Sequence, residues 1–205
     1  MVEAVPVMEV HFVRTGEKRY GVTVIRKDQP AVQRNPCPGY DPLIPHDLMH
    51  LVVEIELGLT RGIFGQLQKG GNAGAFQRVE SEGNKIRETT RLRRRAKKRG
   101  DKLLRQGHDE CVLSEHASYV CMYEWLARSK DPELRKRASK MASHIKIFRG
   151  NRPRSETSAL NEDVITRVCA RLDDLSPRWV ALRIGESVTV EWPENLRRMP
   201  NKSKN

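Results

Sequence analysis

The sequence predicts an α+β fold: a mostly helical body with an N-terminal β-hairpin and a C-terminal strand joining one small sheet. Two observations predict it. Strand-forming residues alternate near both ends of the chain, from Val7 to Thr15 and from Ser187 to Trp192. Helix-period patterns with start and stop residues fill most of the interval between Pro45 and Leu172. At 205 residues the chain is long enough to bury one core. We expect a single domain over 1–205, with 70–108 a basic, mobile or projecting helical segment and 199–205 a disordered tail.

In the first arm Val10 and Phe12 share a face opposite His11 and Val13. Thr15-Gly16-Glu17-Lys18 supplies a turn, and Tyr20 to Arg26 runs back. A proline-rich loop from Asn35 to Pro42 follows, where fixed φ angles restrict how the chain enters the next element. That element is a helix. Pro45 suits its first position, Asp47 complements the positive end of its dipole, and Gly58 ends it. A short helix from Thr60 to Lys69 stops at the loop Gly70-Gly71-Asn72-Ala73-Gly74. Three more helices are expected at Glu110–Arg128, Pro132–Phe148 (with Asp131 as cap) and Asn161–Leu172. A Gly185-Glu186 turn leads into the closing strand, which Pro193 ends.

Composition narrows the functional classes. Apolar residues make up 38% and charged residues 31%, with a formal net charge of +12. That surplus favours anionic partners and says nothing about fold. No run of about eighteen apolar residues exists, so no membrane association is expected. The N-terminus lacks a basic region followed by an apolar one, and the four cysteines (Cys37, Cys111, Cys121, Cys169) form no close pair. Reduced thiols and a cytoplasmic location are the expectation. The chain carries no G-x-S-x-G, P-loop, dinucleotide glycine motif or H-E-x-x-H.

Chemistry concentrates on the helix opened by Pro45. At 100° per residue, His46, His50 and Glu54 fall within an arc of about 80°, with Asp47 at its border. Histidines at i and i+4 bring two imidazoles to one metal ion. Glu54 lies two turns beyond His46, a rise of about 12 Å, so a third ligand from another helix is geometrically easier. His116 and Glu115 on the Glu110–Arg128 helix are the other candidates, and Asp47 is placed to orient an imidazole or act as a base. The first functional expectation is therefore one divalent metal such as zinc on His46 and His50, completed by Glu54, His116 or Glu115, in a metal-binding protein or metal-dependent hydrolase. The same residues equally suit the solvent-facing stripe of an amphipathic helix, which leaves open whether the chain is an enzyme.

The run from Gly39 to Glu54, containing Pro-His-Asp-Leu-Met-His and a glutamate four residues on, resembles the signature of an uncharacterised bacterial family. The hairpin and the closing Glu186–Pro193 strand, which ends Val-Glu-Trp-Pro, resemble that family too, and the likeness covers most of the chain outside the basic segment. It implies no activity. His46-Asp47-Leu48-Met49-His50 is also similar to the His-Asp-x-x-His motif of a zinc-binding coenzyme Q assembly family, although Gly62 stands where that family has a further glutamate. That short likeness implies a metal and no substrate.

The alternative expectation rests on residues 85–105. Eleven of them are Lys or Arg against Glu88 and Asp101, which concentrates most of the chain's charge there. Arg91, Arg93, Arg94, Arg95, Lys97, Lys98 and Arg99 would neutralise phosphates and release counterions, making the protein a non-enzymatic module for nucleic acid or an acidic protein. No aromatic residue falls between Phe76 and Tyr119, so a base-stacking surface is not expected there. A solvated, charged helix accounts for the same run.

Overall fold

The computed structural model describes residues 8–27, 29–79, 90–150 and 158–192. Five strands, β1 (Met8–Gly16), β2 (Arg19–Arg26), β3 (Gln29–Arg34), β4 (Gln77–Arg78) and β5 (Ser187–Trp192), form one antiparallel sheet in the order β4-β3-β2-β1-β5. The fold is α+β, and the N-terminal strands and β5 meet in the same sheet as the alternation predicts. Val10 pairs with Val24 and Val190, and Phe12 with Val22 and Val188. Strand side chains alternate between faces, so Met8, Val10 and Phe12 are buried while Glu9, His11 and Val13 on the other face are only half-buried.

The helices are α1 (His46–Leu57), α2 (Ile63–Gln68), α3 (Thr90–Gln106), α4 (His108–Ala127), α5 (Pro132–Gly150) and α6 (Glu162–Val180). Pro45 stands one position before the first residue of α1, and Gly58 closes it at φ 67°, donating its N–H to the Glu54 and Ile55 carbonyls. Asp131 Oδ1 accepts the Glu133 N–H at the start of α5, and Asn161 Oδ1 accepts the Val164 N–H at the start of α6.

α1 packs against α2, α4 and α6, and every residue from Asp47 to Glu56 is buried. It is therefore a central helix, not a surface one. Leu48, Leu51 and Val52 are fully buried, worth about 1.5–3 kcal/mol each. A helix covered on all sides must find partners for its polar groups. Glu56 finds them on α6: Arg167 Nε donates to it at 2.8 Å, and Arg171 forms a second ion pair. Replacing Glu56 with Gln is expected to lower stability by about 1.5–3 kcal/mol in a urea titration, since both guanidiniums lose a charged acceptor.

Two elements differ from the sequence pattern. β3 and β4 add to the hairpin although neither shows a clear alternation. α6 continues eight residues past Leu172 and passes through Pro177, carrying Trp179 into the core, where its ring meets Tyr20 edge-on. The basic run forms part of α3, whose C-terminal half docks on α2 and its following loop. Gly100 is buried, and Arg99 donates to the Lys69 carbonyl at 2.7 Å. Residues 80–89 and the tail 199–205 lie outside the described residues, as do the side chains of Arg91, Arg93, Arg94 and Arg95. No described helix is long and apolar enough to cross a membrane.

Candidate metal centre

His46 is the first residue of α1, and its backbone N–H donates to the Gly39 carbonyl at 3.1 Å. Gly39 sits at φ 72°, and a Cβ there would lie 2.6 Å from His46 Cβ. Only glycine both adopts that backbone and leaves room for the imidazole. One turn along α1, His50 stands beside His46, with ring centroids 4.5 Å apart and planes at 71°.

α4 crosses over this face and supplies a carboxylate. Glu115 Oε2 lies 3.5 Å from His50 Nε2 and 3.8 Å from His46 Nε2. One ligand atom from each of the three side chains lies within 4.8 Å of the other two, a group that could hold a metal ion. His50 is fully buried, whereas His46 and Glu115 reach solvent, so the group forms an inner wall with an open rim.

The charge states suit a cation. Desolvation, and then the neighbouring His50, hold the His46 imidazole below its ordinary pKa and favour the neutral, ligating form. Proximity to His50 holds Glu115 below the usual carboxylate range despite partial burial. Among the described residues, His50 Nε2 is a buried nitrogen with no hydrogen-bond partner; its nearest ion-pair neighbour is the Glu115 oxygen at 3.5 Å. The other ring nitrogen is engaged, with Nδ1 2.8 Å from Ser114 Oγ and 3.4 Å from Ser118 Oγ.

Glu54 continues the stripe but falls outside the three-residue group. Its Oε1 accepts the Ile63 N–H at 2.8 Å and the Ser114 hydroxyl at 3.1 Å, and its Oε2 accepts the Phe64 N–H at 2.9 Å. The carboxylate thus caps α2, and Gly62 is bare because a Cβ would lie 2.5 Å from Glu54 Cδ. Complete burial pushes the Glu54 carboxyl up to about 7, against the two amides, His50 and the Ser114 hydroxyl, which pull it down. A carboxyl whose folded value exceeds its unfolded one binds more protons when folded, so stability through this group is full below about 4.5 and falls as pH rises towards 7. Urea titrations of metal-free protein at pH 5 and pH 8 are expected to show this slope. Glu54→Gln, though less stable at both, should lose it.

Asp47 lies on the inner side of α1. The Tyr20 hydroxyl donates to its Oδ2 at 2.8 Å, tying the start of α1 to β2. The geometry brings Asp47 to Tyr20, not to a histidine nitrogen. His116 is buried on α4 next to Glu115 and falls outside the three-residue group. Of the candidate ligands, then, the structure gathers His46, His50 and Glu115. Sequence reasoning missed Ser114, Gly39 and Gly62, which hold the site's shape; a serine flanking a candidate glutamate and glycines flanking a histidine helix are weak signals.

On α3, Lys97, Lys98 and Arg99 are exposed. The chain matches no family model, no curated protein and no solved structure.

Proposed function

We propose that the protein binds one divalent transition-metal ion, zinc foremost, through His46 Nε2, His50 Nε2 and the Glu115 carboxylate, and uses it in hydrolysis. The observation that carries this reading is His50 Nε2: buried, aimed at two other ligand atoms, and lacking a hydrogen bond. An unsatisfied buried polar atom costs about 1–3 kcal/mol, and a bound cation would remove that cost. Two imidazoles and one carboxylate are a ligand set of catalytic zinc, which prefers Zn–N and Zn–O distances of about 2.0–2.2 Å and keeps a fourth position for water. The exposed His46 and Glu115 would leave that fourth position towards solvent. A metal there would lower the pKa of bound water to about 7 and supply a hydroxide nucleophile at neutral pH. Elemental analysis and competitive titration of untagged protein test the reading. One equivalent of tightly bound zinc supports it, and normally folded protein that takes up no zinc, cobalt or iron refutes it.

A second reading is supported by the exposed Lys97 and Lys98 on α3: binding of nucleic acid or an acidic protein by the basic run. Affinity for duplex DNA would fall steeply between low and moderate salt and be lost when Arg93, Arg94 and Arg95 become Ala. Binding indifferent to those substitutions counts against it.

A further inference from the structure

We infer that Ser114, backed by Glu54, is a positioning residue that fixes the His50 imidazole as its Nδ1–H tautomer and so presents a lone pair at Nε2. The consequence for metal affinity rests on the metal reading above; the tautomer itself does not.

The argument is one of counting protons. The Ser114 hydroxyl has one, and it stands between two groups, 3.1 Å from Glu54 Oε1 and 2.8 Å from His50 Nδ1. Above about pH 7, where Glu54 is ionised, its carboxylate only accepts. Each Glu54 oxygen already receives a backbone N–H, from Ile63 and from Phe64, an arrangement that favours the ionised form. The hydroxyl proton is therefore committed to Glu54, and the serine oxygen has only lone pairs to offer the ring. Nδ1 must then carry a hydrogen; in the neutral ring this leaves Nε2, 3.5 Å from the Glu115 carboxylate, as the acceptor.

Burial makes this assignment rigid. Ser114, Glu54 and His50 are each 0% exposed, so bulk water has no access with which to reverse the polarity of the chain. Ser118 Oγ, at 3.4 Å, is the only other hydroxyl recorded at Nδ1 among the described residues, and its greater distance makes it the weaker partner. The device spans three elements. Glu54 is anchored to the first amides of α2, Ser114 belongs to α4, and the absent Cβ of Gly62 leaves room for the carboxylate. Outer hydrogen-bond partners of this kind fix tautomer and ring orientation, and their loss typically lowers metal affinity 10- to 100-fold.

The test is long-range proton–nitrogen NMR of histidine-labelled, chelator-treated protein at pH 8. His50 is expected to show a protonated Nδ1 and an unprotonated Nε2. Ser114→Ala should shift the ring towards the Nε2–H form and weaken zinc binding about 10- to 100-fold. Ser118→Ala should keep the wild-type tautomer and change affinity less than about threefold, because the shorter Ser114 contact persists. A wild-type ring carrying hydrogen at Nε2, alone or together with Nδ1, overturns the inference, as does Ser114→Ala with tautomer and affinity both unchanged. The wild-type spectrum decides the tautomer even if Ser114→Ala fails to fold. An Nδ1–H ring in protein that binds no metal supports the inference and removes the metal reading. Zinc binding by protein whose metal-free ring is Nε2–H overturns the inference alone.

Discussion

Replacing His50 with alanine is expected to lower zinc affinity more than about 100-fold, beyond what the loss of an outer partner causes. The reason is where His50 sits. Its ring is fully buried, held at Nδ1 by Ser114, and its Nε2 faces Glu115. At 0% exposure, its position is shielded from bulk water. His46 belongs to the rim, with 45% of its side chain exposed, so in His46→Ala a water molecule can occupy the vacated position. That variant should lose less affinity than His50→Ala. Competitive titration against a chelating dye measures both, and thermal melts of the metal-free variants establish that each is folded. Equal losses, or a larger loss for His46, would contradict the assignment of His50 as the anchoring ligand.

Gly62→Ala is expected to destabilise the metal-free protein by about 2–4 kcal/mol, as several hydrogen bonds to one buried charge are broken together. Its φ of −64° is open to any residue, so the cost is steric and not conformational. The added Cβ would lie 2.5 Å from Glu54 Cδ, 2.6 Å from Oε1 and 2.7 Å from Oε2. A surface glutamate would swing aside at little cost. Glu54 is fully buried and bonded to the Ile63 and Phe64 amides and the Ser114 hydroxyl, so moving it breaks those bonds without offering water in return. Denaturant titration measures the loss. Because Ser114 then loses its acceptor, zinc affinity should fall in the same variant. A Gly62→Ala protein as stable as wild type would show that Glu54 is not held as described.

Much of this arrangement was legible in the sequence, and the limits have physical causes. Val10 and Phe12 announce a strand with one buried face, and Pro45 and Gly58 bracket α1 within a residue. The polar arc of His46, His50 and Glu54 was visible on a helical wheel. Its burial was not, because the helix covering it, α4, lies about sixty residues further along the chain, and periodicity within one helix carries no information about a distant one. The same gap hides the division of labour between Glu115, which joins the histidines, and Glu54, which caps α2. β3 escaped notice because Gln29-Pro30-Ala31-Val32-Gln33-Arg34 buries only Val32. α6 outruns its expected end at Leu172, because the buried Leu175 and Trp179 sustain the helix past that point and through Pro177. Tertiary burial overrode local propensity there.

The central claim, a metal held between α1 and α4, is tested most directly by an anomalous difference map at the zinc edge from crystals of untagged, zinc-loaded protein. The account predicts one strong peak within about 2.0–2.2 Å of His46 Nε2, His50 Nε2 and a Glu115 oxygen. A peak at any other site, or a map without a peak at this one, would contradict it.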